Sequence, residues 1–336
     1  KVAVDYPQEP SSADVINLLS SEISIVQLFS ALKSFSDGLQ KTSVAMYITI
    51  AALIFNIIFN HIFINGLGPI PAMGLFGAGI ATLMARILMA IALAIYLFKI
   101  ADFSKYLQKK HVHAQANILE KTILKIGIPS GMQGFFEIAT FGMAVVMMGW
   151  ISVTAQAAHI VAINMASLTY MMATGIAAAG GILVGADIGE RNRPGIFTSG
   201  YAALVLSILF MGFCAVVFYF GRDILVRGYT QEASVIAIAV TLVVWGAIFQ
   251  LFDGIQAVSL GLLRGLQDVN IPTGITIFSY WGIGIPLSYY IGIYQAVGAV
   301  GIWMGLTASL VCSSVLLSWR FYARAKTIDL ETLTVE

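Results

Sequence analysis

Long apolar stretches alternate along this chain with short polar or Gly/Pro-rich stretches. Nine of the apolar stretches have about the 20 residues that an α-helix needs to cross a bilayer. They lie at 15–35, 44–65, 73–99, 123–151, 155–186, 197–220, 233–262, 272–294 and 297–320. The first is the weakest, because it carries Glu22 and Lys33. None alternates with a period of two, so the pattern predicts an all-α, polytopic membrane protein.

The composition agrees with this prediction. Of the 336 residues, 59% are hydrophobic and only 10% are charged, whereas a soluble domain has about 25% charged residues. The low charge excludes an ordinary soluble enzyme, and a net charge of +1 argues against a nucleic-acid partner. The sequence contains no Ser/His/Asp set, Cys/His metal spacing or phosphate-binding loop, so we do not expect an enzyme.

The basic residues are distributed unequally between the two ends of the predicted spans. Fourteen Lys and Arg residues follow the odd-numbered spans, whereas only Arg222 and Arg227 follow the even-numbered ones. Because Lys and Arg accumulate on the cytoplasmic side, we expect a cytoplasmic C-terminus with a tail at 323–336. The protein is then a multi-pass protein of the cytoplasmic (inner) or plasma membrane.

Two short echoes indicate an internal duplication. Residues 37–41 (DGLQK) resemble 264–268 (RGLQD), and residues 77–80 (GAGI) resemble 299–302 (AVGI), at offsets of 227 and 222 residues. Each pair occupies equivalent positions relative to its span, and duplicated halves are common in transporters. The offset predicts twelve helices in two six-helix lobes, about nine of which lie in this chain.

The duplication also predicts the domain boundaries. Residues 1–100 would supply the last three helices of lobe one, and 123–322 all six helices of lobe two. The polar interval 101–122 would be a cytoplasmic linker between the lobes, and about three helices would precede residue 1.

Two carboxyl groups lie deep within predicted spans, where a charge costs at least ~2.5–3.5 kcal/mol. Glu137 is about fourteen residues into its span, and Asp253 about ten residues from the cytoplasmic end of its own. Gln133 shares a helical face with Glu137, as Gln250 and Gln256 do with Asp253. Such carboxyls take up a proton more readily than in water, or share Na⁺ through oxygen ligands. Hydrogen bonding for helix packing is the alternative.

Other polar residues within spans are weaker candidates for the lining of a cavity. Arg86 needs a carbonyl or carboxylate partner, and Asn56 and Asn60 lie four residues apart on one helical face. Asn164 lies in a later span. Hydrogen bonding between helices explains these residues equally well.

Several segments, in their order and spacing, resemble the multidrug and toxic compound extrusion (MATE) transporters, in particular the NorM-like branch. The resemblance extends from about residue 20 to 322. The segments that carry it are LKIGIP (124–129) with FFE (135–137), AAH (157–159) with IN (163–164), QLFDGIQ (250–256) with LRG (263–265), IPL (285–287) and GAGIAT (77–82).

The resemblance implies alternating access of two lobes, with export of cationic or amphipathic drugs or toxic metabolites in exchange for Na⁺ or H⁺. It implies that Glu137 and Asp253 bind the coupling cation, as metal ligands if that cation is Na⁺. It places an aromatic residue of the site at Tyr170, and it places Phe249 where relatives often have Tyr. We expect a monomer with no other cofactor. A flippase for lipid-linked oligosaccharides is the alternative, but it needs several basic residues in its cavity, and only Arg86 qualifies.

Overall fold

The computed structural model describes residues 12–38, 42–67, 71–99 and 112–330, and these form helices without any β-strand. All nine predicted spans coincide with helices, which confirms the all-α prediction. The helices are α1 (Ser12–Gly38), α2 (Thr42–Asn65), α3 (Gly74–Lys99), α4 (Val112–Ile151), α5 (Val153–Gly189), α6 (Arg193–Tyr229), α7 (Ala233–Gly265), α8 (Asn270–Ile277, Phe278–Gly284, Ile285–Tyr289 and Tyr290–Tyr294 in direct succession) and α9 (Ala299–Thr327).

Seven of the described helices, α2 to α7 and α9, are long and apolar enough to cross a membrane. This confirms a multi-pass membrane protein, while the total of twelve helices stays a prediction. Many of their large apolar side chains face outward; Ile138 and Phe220, for example, are 75% and 78% exposed. Outward-facing apolar side chains on such helices suit contact with lipid.

Several helices extend beyond the predicted spans. Helix α4 begins at Val112, within the predicted 101–122 linker, and α6 continues to Tyr229 rather than ending at 220. Hydropathy marks only the apolar part of a helix, whereas backbone hydrogen bonding continues into its polar ends. The rest of the predicted linker, 101–111, and positions 331–336 of the predicted tail lie outside the described residues.

The chain divides into two compact units, Lys1–Gln115 and Ala116–Glu336. The first contains α1 to α3 around a small apolar core that includes Phe29, Met89 and Leu93. The second contains α5 to α9 and nearly all of α4. Its largest core brings α4 to α9 together around the fully buried Trp303.

Helices α5 and α7 cross at a contact that only small residues permit. A Cβ atom at Gly181 would lie 2.6 Å from the carbonyl oxygen of Gly261, and one at Gly265 would lie 2.5 Å from the carbonyl oxygen of Gly181. A Cβ at Gly261 would collide with the backbone of Ala177. The spacing of four residues between Gly261 and Gly265 is typical of closely packed membrane helices.

Helix α8 combines α-helical and wider π-helical turns. The π segments Phe278–Gly284 and Tyr290–Tyr294 flank the short α segment that contains Pro286. Proline removes one backbone donor from the helix, and a π turn is one way in which a helix accommodates such a break. The backbone stays helical at each junction, so α8 is one continuous element.

An ion pair connects the end of α9 to the loop that follows α7. Arg320 donates from Nε to Oδ2 of Asp268 at 2.7 Å, and the two side chains are 25% and 10% exposed. We expect Arg320→Met to cost about 1–3 kcal/mol of stability, because it leaves a largely buried carboxylate without its partner. Thermal unfolding in detergent measures this loss. The double variant Arg320→Met/Asp268→Asn should recover most of it; no recovery would contradict the pairing.

Candidate functional site

The first part of the site is a polar face on α4. Gln133 and Thr140 are buried, and Glu137 between them is partly buried. The Thr140 hydroxyl donates to the carbonyl of Phe136 in its own helix at 2.8 Å, which leaves Gln133 and Glu137 for contacts with other helices. The Trp281 indole of α8 donates to the same Phe136 carbonyl at 3.1 Å and holds α8 beside this face.

The second part is a polar face on α7, which the sequence pattern predicted. Asp253 is 5% exposed, and no hydrogen bond or ion pair connects its carboxyl to another described residue. Gln250 accepts a hydrogen bond from the Thr169 hydroxyl at 2.9 Å, while its buried amide nitrogen has no partner among the described residues. Gln256 donates to the Tyr280 hydroxyl at 3.0 Å. Within the part of the chain that the structure describes, Asp253 is therefore a buried acid without a partner, between two glutamines that α5 and α8 hold in place.

The two faces meet at α5 and at the end of α7. The Tyr170 hydroxyl donates to Oε1 of Glu137 at 3.4 Å, and the Arg264 guanidinium donates to Oε1 of Gln133 at 3.5 Å. Glu137 and Asp253 are close enough for their charges to act on each other, and the charge of Arg264 also acts on Glu137. We call Gln133, Glu137, Tyr170, Asp253 and Arg264 the carboxyl cluster.

Phe249 takes a structural position beside the carboxyl cluster. Its ring is 1% exposed and packs against Phe141 and Trp303, with ring centroids 6.1 and 5.3 Å apart. The Trp303 indole donates to Nδ1 of the buried His159 at 3.1 Å. Phe249 thus belongs to the apolar core rather than to the polar faces.

The other predicted site residues lie apart from this cluster or in the first unit. Asn164 is exposed, and its amide donates to the carbonyl of Ile160 in its own helix at 2.8 Å. Within the first unit, Asn60 donates to Asn56 at 3.1 Å, and Asn56 donates to Thr82 at 3.4 Å.

The charged pair of the first unit is separate from that amide chain. Nε of Arg86 lies 3.9 Å from Oε1 of Glu22, so a long ion pair connects α3 to α1. Of the two kinds of partner predicted for Arg86, a carbonyl or a carboxylate, the structure shows the carboxylate.

Three contributors to the site are absent from the sequence predictions. Arg264 appears there only among the basic residues that follow a span and in the LRG segment (263–265), without a role in the site, and Thr169 and Tyr280 were not singled out. Thr169 directly precedes Tyr170, which is the one signal that pointed to that part of α5. The other two are recognised only when the helices are packed together. Among the described residues, no group of three or more His, Cys, Asp or Glu side chains surrounds a metal position.

The family model MatE matches residues 129–290, which include both polar faces. The chain is 33% identical over 298 residues to the probable multidrug resistance protein NorM of Mesorhizobium japonicum, covering 87% of this chain and 64% of that protein. It is 32% identical over 305 residues to the probable multidrug resistance protein NorM of Bacillus subtilis, covering 91% of this chain and 68% of that protein. The chain belongs to the MatE family. This confirms the resemblance to MATE transporters in the sequence.

Solved structures show the same MatE fold. A MATE transporter in complex with MaD3S superposes with a TM-score of 0.81 at 19% identity, covering 93% of this chain and 70% of that one. The eukaryotic MATE transporter AtDTX14 gives 0.78 at 19% identity, covering 89% and 67%. This MatE chain spans about two thirds of the length of the curated relatives, 64% and 68% in the two named above.

Proposed function

We propose that this MatE chain acts in the export of cationic or amphipathic small molecules in exchange for Na⁺ or H⁺. The observation that carries the proposal is Asp253, a buried acid without a partner among the described residues, on which the charge of a second acid, Glu137, acts. Two carboxylates whose charges act on each other in an apolar environment need a proton or a metal cation to offset their charge. The names of the NorM relatives support a multidrug substrate range.

The carboxyl cluster supplies oxygen ligands for such a cation. The carboxyl groups of Glu137 and Asp253 are the charged ligands. The Tyr170 hydroxyl lies 3.4 Å from Glu137, and Gln133 precedes Glu137 by about one turn of the same helix. Hard cations such as Na⁺ favour this kind of ligand set. The same carboxyls take up protons if the coupling ion is H⁺.

Export follows if cation and drug favour different conformations. A ligand shifts a conformational equilibrium only by its differential affinity for the two states. Cation binding at the carboxyl cluster would stabilise one state and drug binding the other, so the cation gradient drives export. We further propose that the ends of α5, α7 and α9 face the cytoplasm, as the Lys/Arg distribution predicts.

An oligosaccharide flippase is the alternative function. It would need several cations for a lipid-linked phosphate, but the carboxyl cluster has two acids and one arginine. In the first unit, Arg86 is paired with Glu22. Charge therefore favours a cation-coupled exporter.

The experiment that tests this function is dye efflux from cells that lack their own exporters. We expect cells that express the complete gene product to extrude a cationic dye, and extrusion to stop when an ionophore collapses the Na⁺ or the H⁺ gradient. The ionophore that stops it identifies the coupling ion. Extrusion that survives the collapse of both gradients while ATP is present would contradict the proposal.

A further inference from the structure

Arg264 lacks an acidic partner among the described residues, although it lies next to an acid-containing site. Its guanidinium makes one hydrogen bond to a described residue, the neutral amide of Gln133, and no described carboxyl pairs with it. By contrast, Arg320 nearby in the same unit pairs with Asp268 at 2.7 Å. A guanidinium forms its strongest hydrogen bonds with carboxylates, so Arg264 is free to accept a better partner.

The backbone beneath Arg264 is fixed, while its side chain is not. Gly261 and Gly265 flank it in sequence, and both lie in the close crossing with α5, where an added Cβ would strike backbone atoms. The Arg264 side chain itself is exposed. The crossing therefore provides a rigid base for a long, exposed side chain, whose rotamer can change without moving α7.

The acid that Arg264 could reach instead is Glu137, about one helical turn from Gln133. Glu137 follows Gln133 by four residues on α4, about 6 Å along the helix axis. The hydrogen bonds from Arg264 to Gln133 and from Tyr170 to Glu137 are 3.5 and 3.4 Å long, compared with about 2.9 Å for a typical bond. Bonds of this length hold neither Arg264 nor Glu137 tightly.

We propose that Arg264 is an internal counter-cation, which moves from Gln133 to Glu137 when the coupling cation leaves and returns when that cation binds. This inference rests on the proposed function. An ionised Glu137 without a positively charged partner would be costly within a membrane span. Arg264 removes this cost in the empty site. Because two positive charges repel at one carboxylate, Arg264 also competes with the coupling cation and promotes its release.

The test is the cation requirement of Arg264→Gln. The complete gene product is purified into proteoliposomes, and dye transport is measured against Na⁺ concentration at fixed pH and against proton concentration without Na⁺. We expect the half-saturating concentration of the coupling cation to fall about tenfold, because a like charge at close range is removed. The maximal rate should fall severalfold, because the cation leaves more slowly. Arg264→Lys keeps the charge and should stay near wild type.

Arg227→Gln is the matched control. Arg227 is an exposed arginine near the end of α6, beside the opposite end of α7, so its loss changes net charge equally without affecting the cluster. A purely structural role for Arg264 predicts an unchanged or higher cation requirement in Arg264→Gln, and either result overturns the inference. If Arg264→Gln does not accumulate, Arg264→Met replaces it with the same expectation.

The variant Glu137→Gln distinguishes the proposed coupling site from the proposed role of Arg264. If Glu137→Gln transports normally, Glu137 does not bind the coupling cation, and the coupling site given under the proposed function is wrong. If Glu137→Gln is inactive while Arg264→Gln keeps a wild-type cation requirement, only the role of Arg264 is wrong.

Discussion

We expect Asp253→Asn to lose gradient-driven efflux, by at least roughly tenfold, while the protein becomes no less stable. Asparagine has nearly the same shape as aspartate, but it neither carries a charge for a metal cation nor exchanges a proton. Asp253 is 5% exposed and has no partner among the described side chains, so replacing it removes the cost of burying a charge. Initial rates of dye efflux and thermal unfolding in detergent, measured on the same preparation, test both expectations.

The matched control for this variant is Asp223→Asn. Asp223 lies near the end of α6, is 63% exposed and pairs with Arg222 at 3.8 Å. The same chemical change there should leave efflux unchanged. Wild-type efflux by Asp253→Asn would remove this residue from the coupling site. Lost efflux together with a lower unfolding temperature would instead indicate that Asp253 has a structural role.

The second large effect is expected at the crossing of α5 and α7. A single methyl group at Gly181 would lie 2.6 Å from the carbonyl oxygen of Gly261 and 3.2 Å from its carbonyl carbon. Since both atoms belong to backbone, the helices must separate to accept it. We expect Gly181→Ala to cost about 1–3 kcal/mol, measured as a lower unfolding temperature in detergent.

The same helix supplies the control. Among the described residues, no atom outside the adjoining backbone of its own helix lies within 4 Å of the position that a Cβ would take at Gly175. Gly175→Ala should therefore be neutral or slightly stabilising, because alanine restricts the unfolded chain and favours the helix by about 0.5–1 kcal/mol. Equal effects of the two variants would refute the close crossing.

Hydropathy predicted the number and order of the described helices because each span needs an apolar surface toward lipid. It did not predict where the helices end. Ser152 caps α5 by accepting a hydrogen bond from the Ala155 amide at 3.0 Å, and Asn192 caps α6 through the Gly195 amide at 3.0 Å. Such caps depend on individual polar side chains and on local backbone geometry. A hydropathy averaged over many residues does not detect them.

The site was predictable where a single helix sufficed. Helical spacing placed Gln133 with Glu137 on one face, and the structure keeps that arrangement. The residues that complete the site come from other helices: Tyr280 meets Gln256 across helices, and Arg264 meets Gln133 across 131 positions of sequence. Only the packing of α4, α5, α7 and α8 brings them together, so no local pattern contains this information.

The connections of the second unit are short, and this affects how the protein can be handled. A single residue separates α4 from α5, and three residues separate α5 from α6 as well as α6 from α7. Proteases and antibodies need an extended stretch of several accessible residues. Proteases added to folded protein should therefore leave the stretch from α4 to α7 uncut. Inserted epitope tags or fluorescent proteins are expected to disrupt these hairpins rather than report on them.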